Sequence, residues 1–358
     1  MGIESLARPE IVAMKPYSSA RKEAPGRGVL LNANESPWPL LKEPGSLNRY
    51  PDPQPFELIL RLSSLYRVSN EQLLLTRGSD EGIDLLTRVF CRARQDAVAL
   101  CPPNFGMYRI AAQIQGADIV SVPRRIDDCF ALDEQALLSS LQADDRIKLL
   151  FLTSPNNPTG DIIGKEFLRQ LLHVTANRAI VVLDEAYAEF CDHASASGMI
   201  ADFENLVVLR TMSKAWAAAG LRCGAVLAQP PVISLLQRII APYPLPSPVV
   251  SLALRMLEDD VLEKQKHLLQ KLKINKQLLL DKLTQLSFIR ELFPGEANFV
   301  LIRVGQPEEL LTFCANRNII LRGFPADPLL QGCIRVSVGS EDDIMKLAAA
   351  LQEWENTQ

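Results

Sequence analysis

What most limits the folds open to this chain is a series of short, apolar, β-rich runs separated by amphipathic helical stretches. The runs are QLLLTRG (72–78), DAVALC (96–101), KLLFLTS (148–154), AIVVLDE (179–185), NLVVLRT (205–211) and CGAVLAQ (223–229). Between several of them lie segments such as EGIDLLTRVFCRA and KEFLRQLLHVTANR, whose apolar residues recur at helical spacing. Apolar strands alternating with helices are buried on both faces, so the pattern predicts an α/β fold with a mainly parallel sheet. Right-handed crossovers then put the strand C-terminal ends on one edge, where open α/β sheets bind ligands.

After about residue 255 the pattern changes. A long helical stretch, EDDVLEKQKHLLQKLKINKQLLLDKLTQL, precedes ANFVLIRV, NIILRG and GCIRVSVG, which reads as a linking helix leading into a smaller α+β unit. Its leucines do not hold a heptad long enough for a coiled coil. At 358 residues the chain exceeds what one hydrophobic core usually supports. The expected division is an arm over 1–39, a large domain over 40–255 and a small domain over 256–358. APYPLPSPVV (241–250) reads as a loop near the end of the large domain. The first forty residues carry turn signals and little periodicity.

Bulk properties exclude several classes. Lys+Arg number 38 against 42 Asp+Glu, and a net charge of −4 gives no electrostatic basis for binding nucleic acid or an anionic membrane. Seven cysteines without a Cys-x-x-Cys pair argue for reduced thiols rather than a disulfide frame or zinc site. No apolar run is long enough to span a bilayer, and the N-terminus has no signal-like apolar region. Leu6 stands where a myristoylation site needs Ser or Thr. The expected compartment is the cytoplasm, which leaves the sequon at Asn34 without a role.

Candidate chemistry lies at the strand ends. The three histidines, His173, His193 and His267, have no nucleophile arrangement beside them and read as structural or surface residues. GRGVLL (26–31) lacks the third glycine and the preceding strand of a dinucleotide fingerprint. Asp184 ends AIVVLD, as an acid facing the sheet edge or as a cap for the next helix. Asn156 and Asn157 follow another strand in TSPNNPTG, which also reads as a simple Pro-rich turn. GSDEG (78–82) opens a helix whose N–H groups suit an anion, or in which Ser79 is an ordinary N-cap. Lys214 and Arg222, in TMSKAWAAAGLRCG, follow a fourth strand; singly, each reads as a solvated cation.

Taken together, these residues put an amine, an acid, an amide and an anion cradle on one sheet edge. Pyridoxal phosphate needs a lysine for a Schiff base, an acid at its ring nitrogen and an anion site for its phosphate.

The sequence resembles the fold-type I pyridoxal-phosphate aminotransferases, and among them the histidinol-phosphate subgroup. The resemblance rests on LNANESPW (31–38), RYPDP (49–53), RGSDEGIDLL (77–86), PPNFGMY (102–108), TSPNNPTG (153–160), VLDEAYAEF (182–190), TMSKAWAAAGLRCG (211–224) and GCIRVSVG (332–339). It implies a seven-stranded, mainly parallel sheet sandwiched by helices, with a smaller α+β C-terminal domain. It also implies that Lys214 carries the cofactor and moves the substrate's α-proton, and that Asp184 pairs with the ring nitrogen. Tyr187 and Asn157 fall to the phenolic oxygen, and Ser79, Asp80, Ser213 and Arg222 to the phosphate. Phe105 falls to the ring face, where many relatives have tyrosine. Tyr50 is implied to reach the cofactor phosphate of a second subunit, making a homodimer with shared sites. Arg335 is implied to grip the carboxylate of glutamate, and Arg322 and Tyr17, with Arg335, the phosphate of histidinol phosphate.

Aromatic-amino-acid transaminases, and decarboxylases of a phosphorylated amino acid, use a similar residue set. A non-catalytic regulator that binds the same cofactor would need a DNA-binding segment or basic face, which the sequence does not show.

Overall fold

The computed structural model describes residues 2–17, 29–41, 47–192 and 195–357. His193 and the first three residues of GRGVLL lie outside the described residues. The core is a seven-stranded sheet in the order β1-β7-β6-β5-β4-β2-β3. Its strands are β1 (Leu73–Thr76), β2 (Ala97–Leu100), β3 (Asp118–Ser121), β4 (Ile147–Thr153), β5 (Ile180–Asp184), β6 (Leu206–Thr211) and β7 (Gly224–Ala228). β7 runs antiparallel to both neighbours, β1 and β6, while β2 to β6 pair in parallel. The expected mainly parallel sheet is thus present.

The period of two along each strand explains how helices cover both faces. Leu150, Leu152, Val181, Leu183 and Val208 point into one core with helices α2 (Phe56–Tyr66), α5 (Glu134–Ala143) and α6 (Lys165–Val174). Leu149, Phe151, Ile180, Val182 and Val207 point into the other, with α3 (Gly78–Phe90), α4 (Met107–Gln115) and α7 (Pro230–Gln237). Ile3, Leu6 and Ala7 are buried in this second core, and a short helix α1 (Pro9–Ala13) follows them. The start of the arm is therefore packed against the large domain.

Helix α8 (Ser247–Met256) begins inside APYPLPSPVV, because Pro248 is acceptable in a helix's first turn, where the N–H needs no partner. The loop expected over 241–250 therefore stops at Pro246. Helix α9 (Asp259–Leu283) leads into a four-stranded antiparallel sheet, order β10-β11-β9-β8. Its strands are β8 (Ile289–Phe293), β9 (Phe299–Val304), β10 (Arg322–Gly323) and β11 (Cys333–Ser337). One face packs on α9, α10 (Pro307–Ala315) and α11 (Glu341–Glu355) through Val300, Ile302, Leu310, Ile334 and Leu347. The other turns Phe299 toward Tyr187, in the turn after β5 of the large sheet, ring centroids 5.3 Å apart and nearly perpendicular. NIILRG contributes only its last two residues to a strand, Arg322 and Gly323.

The two sheets also meet where Gly160 backs on Gly295. A Cβ on Gly160 would lie 2.7 Å from the Gly295 Cα, and both glycines have positive φ. Lys276 of α9 fixes this junction by donating to the carbonyls of Gly295 at 2.6 Å and Ala297 at 2.8 Å.

Candidate active site

Because β1, β4, β5 and β6 run in one direction, the polar residues after them meet at one sheet edge. Thr153 and Asp184 are register partners at the ends of β4 and β5. A cleft of about 690 Å³ opens above this edge, lined among others by Ser79, Asp80, Phe105, Asn157, Asp184, Tyr187, Ser213, Lys214, Arg222, Arg322 and Arg335. Eleven of the thirteen residues to which the resemblance gives a cofactor or substrate role thus line one cavity. Tyr17 and Tyr50 do not line it: Tyr17 is exposed, and Tyr50 stacks on Tyr243 at 4.5 Å.

Asp184 forms the floor. It is 2 % exposed, and its Oδ1 accepts the Ala186 N–H at 3.0 Å. Its Oδ2 accepts from the Tyr108 hydroxyl at 2.8 Å. Those donors are neutral, so burial dominates and pushes the carboxyl up to about 6. Asp184 therefore caps a turn rather than a helix. Tyr108 was not singled out in the sequence, where PPNFGMY stood out for Phe105; a tyrosine in a helical apolar pattern gives no sign of its hydroxyl partner.

The anion cradle forms around the start of α3. Its N-cap is Arg77 and not Ser79, which sits in the first turn; Arg77 N–H is instead met by Glu81 Oε2 at 2.7 Å. Gly78 has φ +73°, and a Cβ there would come 2.8 Å from Arg222 Nη2, so only glycine lets the helix start this close to the guanidinium. Arg222 Nη1 donates to Ser213 Oγ at 3.3 Å and Nη2 to Asp80 Oδ2 at 3.0 Å. With its carboxylate on Arg222, Asp80 can offer an anion only its main-chain N–H. An anion here would meet helix-start N–H groups, a hydroxyl and a guanidinium.

Lys214 stands between floor and cradle, reachable from the open cleft, with Nζ 5.8 Å from the Tyr187 ring centroid. Burial of its surroundings, and then the charge of Arg335, hold its amine below the usual lysine range. Asn157 Nδ2 donates to the Tyr187 hydroxyl at 3.3 Å, and burial pushes Tyr187 up to about 12.

The roof comes from the small sheet. Arg322 of β10 lies directly across from Arg335 of β11. Arg335 donates to Asn157 Oδ1 and sits 5.3 Å from the Phe299 ring centroid. Its Nε is buried without a hydrogen-bond partner, as is Asn104 Nδ2, another group of the cleft lining. Burial lowers the Arg335 pKa, and Arg322 adds to this; the pair is a concentration of positive charge in need of an anion.

This donor set fits pyridoxal phosphate: a buried carboxylate for a ring N–H, a cradle for a phosphate and an amine between them. Among the described residues, no group of His, Cys, Asp and Glu could hold a metal ion.

Known proteins resemble the chain over nearly its whole length. The family model "Aminotransferase class I and II" matches residues 19–351. A histidinol-phosphate aminotransferase of Aeromonas salmonicida is 41% identical over 355 residues, covering 99% of each chain. One from Pectobacterium atrosepticum is 41% identical over 354 residues, 98% of this chain and 97% of that one. The fold is shared with the histidinol-phosphate aminotransferase of Clostridium acetobutylicum, TM-score 0.78 at 23% identity, over 87% of this chain and 92% of that one. It is also shared with the Sinorhizobium meliloti enzyme solved with pyridoxal-5'-phosphate, TM-score 0.77 at 24% identity, over 87% and 84% of the two chains. With a family model spanning most of its length and full-length relatives of one kind, the chain belongs to the class I and II aminotransferase family, among its histidinol-phosphate aminotransferases.

Proposed function

We propose that this chain transfers an amino group between L-histidinol phosphate and 2-oxoglutarate, giving imidazole acetol phosphate and L-glutamate, a step of histidine biosynthesis. The observation that carries the substrate choice is the Arg322–Arg335 pair, set across one β-ladder at the mouth of the cleft that holds Lys214. Two guanidiniums suit a phosphate dianion in one half-reaction and a carboxylate in the other through forked hydrogen bonds.

Pyridoxal 5'-phosphate is the cofactor, and when bound it supplies a carbonyl that condenses with amines and a ring that accepts electrons. Lys214 would hold its carbonyl carbon, and its Nζ would move the substrate's α-proton, a task suited to an amine with a lowered pKa. Asp184 would keep a proton on the ring nitrogen, and Tyr187 and Asn157 would meet the phenolic oxygen. Ser79 and Asp80 N–H, Ser213 and Arg222 would hold the phosphate, and Phe105 would pack on the ring face.

Tyr50 and Tyr17 are assigned to a site shared across a homodimer. Both are exposed outside their own cleft lining, as are Trp38, Leu40, Leu41 and Phe56 elsewhere in the chain. Three domains are proposed: an arm over 1–39, a large domain over 40–255 and a small one over 256–358. No helix among the described residues is long and apolar enough to cross a membrane, and none of the seven cysteines forms a disulfide. A cytoplasmic location accords with reduced thiols.

A half-reaction screen tests the assignment, following cofactor bleaching with histidinol phosphate, phenylalanine, leucine and threonine phosphate, with a trap for CO2. Histidinol phosphate should react fastest without gas release. Preference for phenylalanine, or CO2 from threonine phosphate, would overturn the substrate assignment.

A further inference from the structure

Tyr108 is fully buried in α4, yet its side chain touches two residues assigned to the cofactor. Its hydroxyl donates to Asp184 Oδ2 at 2.8 Å and lies 2.8 Å from Thr153 Oγ1, so the phenol is held from both sides. Its ring stacks on Phe151 of β4 at 4.9 Å with planes 5° apart. The same ring meets Phe105 edge-on, centroids 5.7 Å apart at 83°. Burial holds the phenol well above its ordinary pKa, so it is neutral and remains a donor. Of the two hydrogen bonds that the Asp184 carboxylate accepts, this is the one from a side chain.

We propose that Tyr108 is a positioning residue for the transamination chemistry. It orients the Asp184 carboxylate toward the ring nitrogen while bracing Phe105 against the ring face. The proposal rests on the reading that Asp184 faces that nitrogen. A carboxylate free to rotate spends less time aligned with the ring N–H. One that has lost a donor also competes harder for the ring's proton. Tyr108 works against both effects: it fixes the carboxylate plane together with Ala186 N–H, and it lowers the carboxylate's proton affinity. Because the same ring touches Phe105, a shift of α4 would move the acid and the stacking face together.

The test is a double-variant cycle on cofactor affinity, with pyridoxal phosphate titrated into cofactor-stripped protein. Tyr108→Phe keeps the ring and removes only the hydroxyl; its dissociation constant should rise about tenfold, the scale of a hydrogen bond to a charged group. Asp184→Asn should weaken binding further, and adding Tyr108→Phe to it should cost nothing more. Equal losses in both backgrounds would show that Tyr108 only packs, and would overturn the proposal. An Asp184→Asn protein binding cofactor like the native chain would instead sink the reading of Asp184, and this inference with it. A packing role would not move the second readout, the 13C titration midpoint of the Asp184 carboxyl in stripped protein. That midpoint should rise in Tyr108→Phe; if it stays put, the proposal fails. Should Tyr108→Phe not fold, Thr153→Val loosens the phenol from its other side. It should cost about threefold in affinity, since coupled hydrogen bonds support one another, and that loss should also vanish in the Asp184→Asn background. A loss that persists there would overturn the proposal equally.

Discussion

The floor and the roof of the cleft use charge in opposite ways. Asp184, on the floor, is a lone acid sealed at a strand end and held by neutral donors. Arg322 and Arg335, on the roof, are like charges placed side by side, with Arg322 exposed. The floor is rigid because parallel strands and two helical layers fix its position, which suits a resident cofactor. On the roof, Arg322 rests on a short two-residue strand and is open to water, which suits ligands that come and go. Each region is incomplete by itself: the floor lacks a cation and the roof lacks an anion.

Between them stands Lys214, and replacing it should have the largest effect. Lys214→Ala should cut transamination by about 10³–10⁴-fold and remove the yellow colour of the bound cofactor. An unchanged visible spectrum would break the assignment of the amine that floor and roof are built around.

The floor should show its character in stability. Asp184 titrates near 6 in the folded chain against 3.8 ordinarily, so between those values the folded state keeps a proton that the unfolded state has lost. Cofactor-free stability from this group is therefore highest at low pH and falls as pH rises through that window, by about 3 kcal/mol in full. Asp184→Asn should make the cofactor-free protein harder to unfold in urea at pH 8, with the advantage fading below about pH 5. An equal advantage at both pH values would mean that the floor carries no buried charge.

On the roof, Arg322→Ala should weaken histidinol phosphate by about thirtyfold while leaving phenylalanine nearly unchanged, the scale of a charge-assisted hydrogen bond. KM measured for both substrates checks this, and equal losses would remove Arg322 from phosphate reading. The smallest effect links the two regions. Arg335 helps to hold the Lys214 amine down, so Arg335→Gln should raise the pH at which Lys214 reacts with an amine-specific reagent in cofactor-stripped protein. No change would mean that roof and amine are electrostatically separate.

Most of the large sheet was legible because its central strands are continuous apolar runs. The two strands that escaped notice lie at sheet edges. β3 is open at both ends, and β8 reads IRELF with charges on its uncovered side, so neither shows an apolar run. The floor residues were legible for a related reason: a polar residue ending a buried strand has few places to go but the ligand edge. The alternative reading of Ser79 as an N-cap fails because good cap chemistry says nothing about which residue starts the helix.

The sequence by itself determined the alternating layers, the edge that carries the chemistry and the residue types gathered there. These follow from local periodicity and strand direction. Only the tertiary structure decided that Tyr108 reaches Asp184 across 76 positions, that Arg322 lies across from Arg335, and that Phe299 brings the second sheet onto Tyr187. Those depend on register and on packing between distant elements, where a shift of one residue turns a side chain to the opposite face.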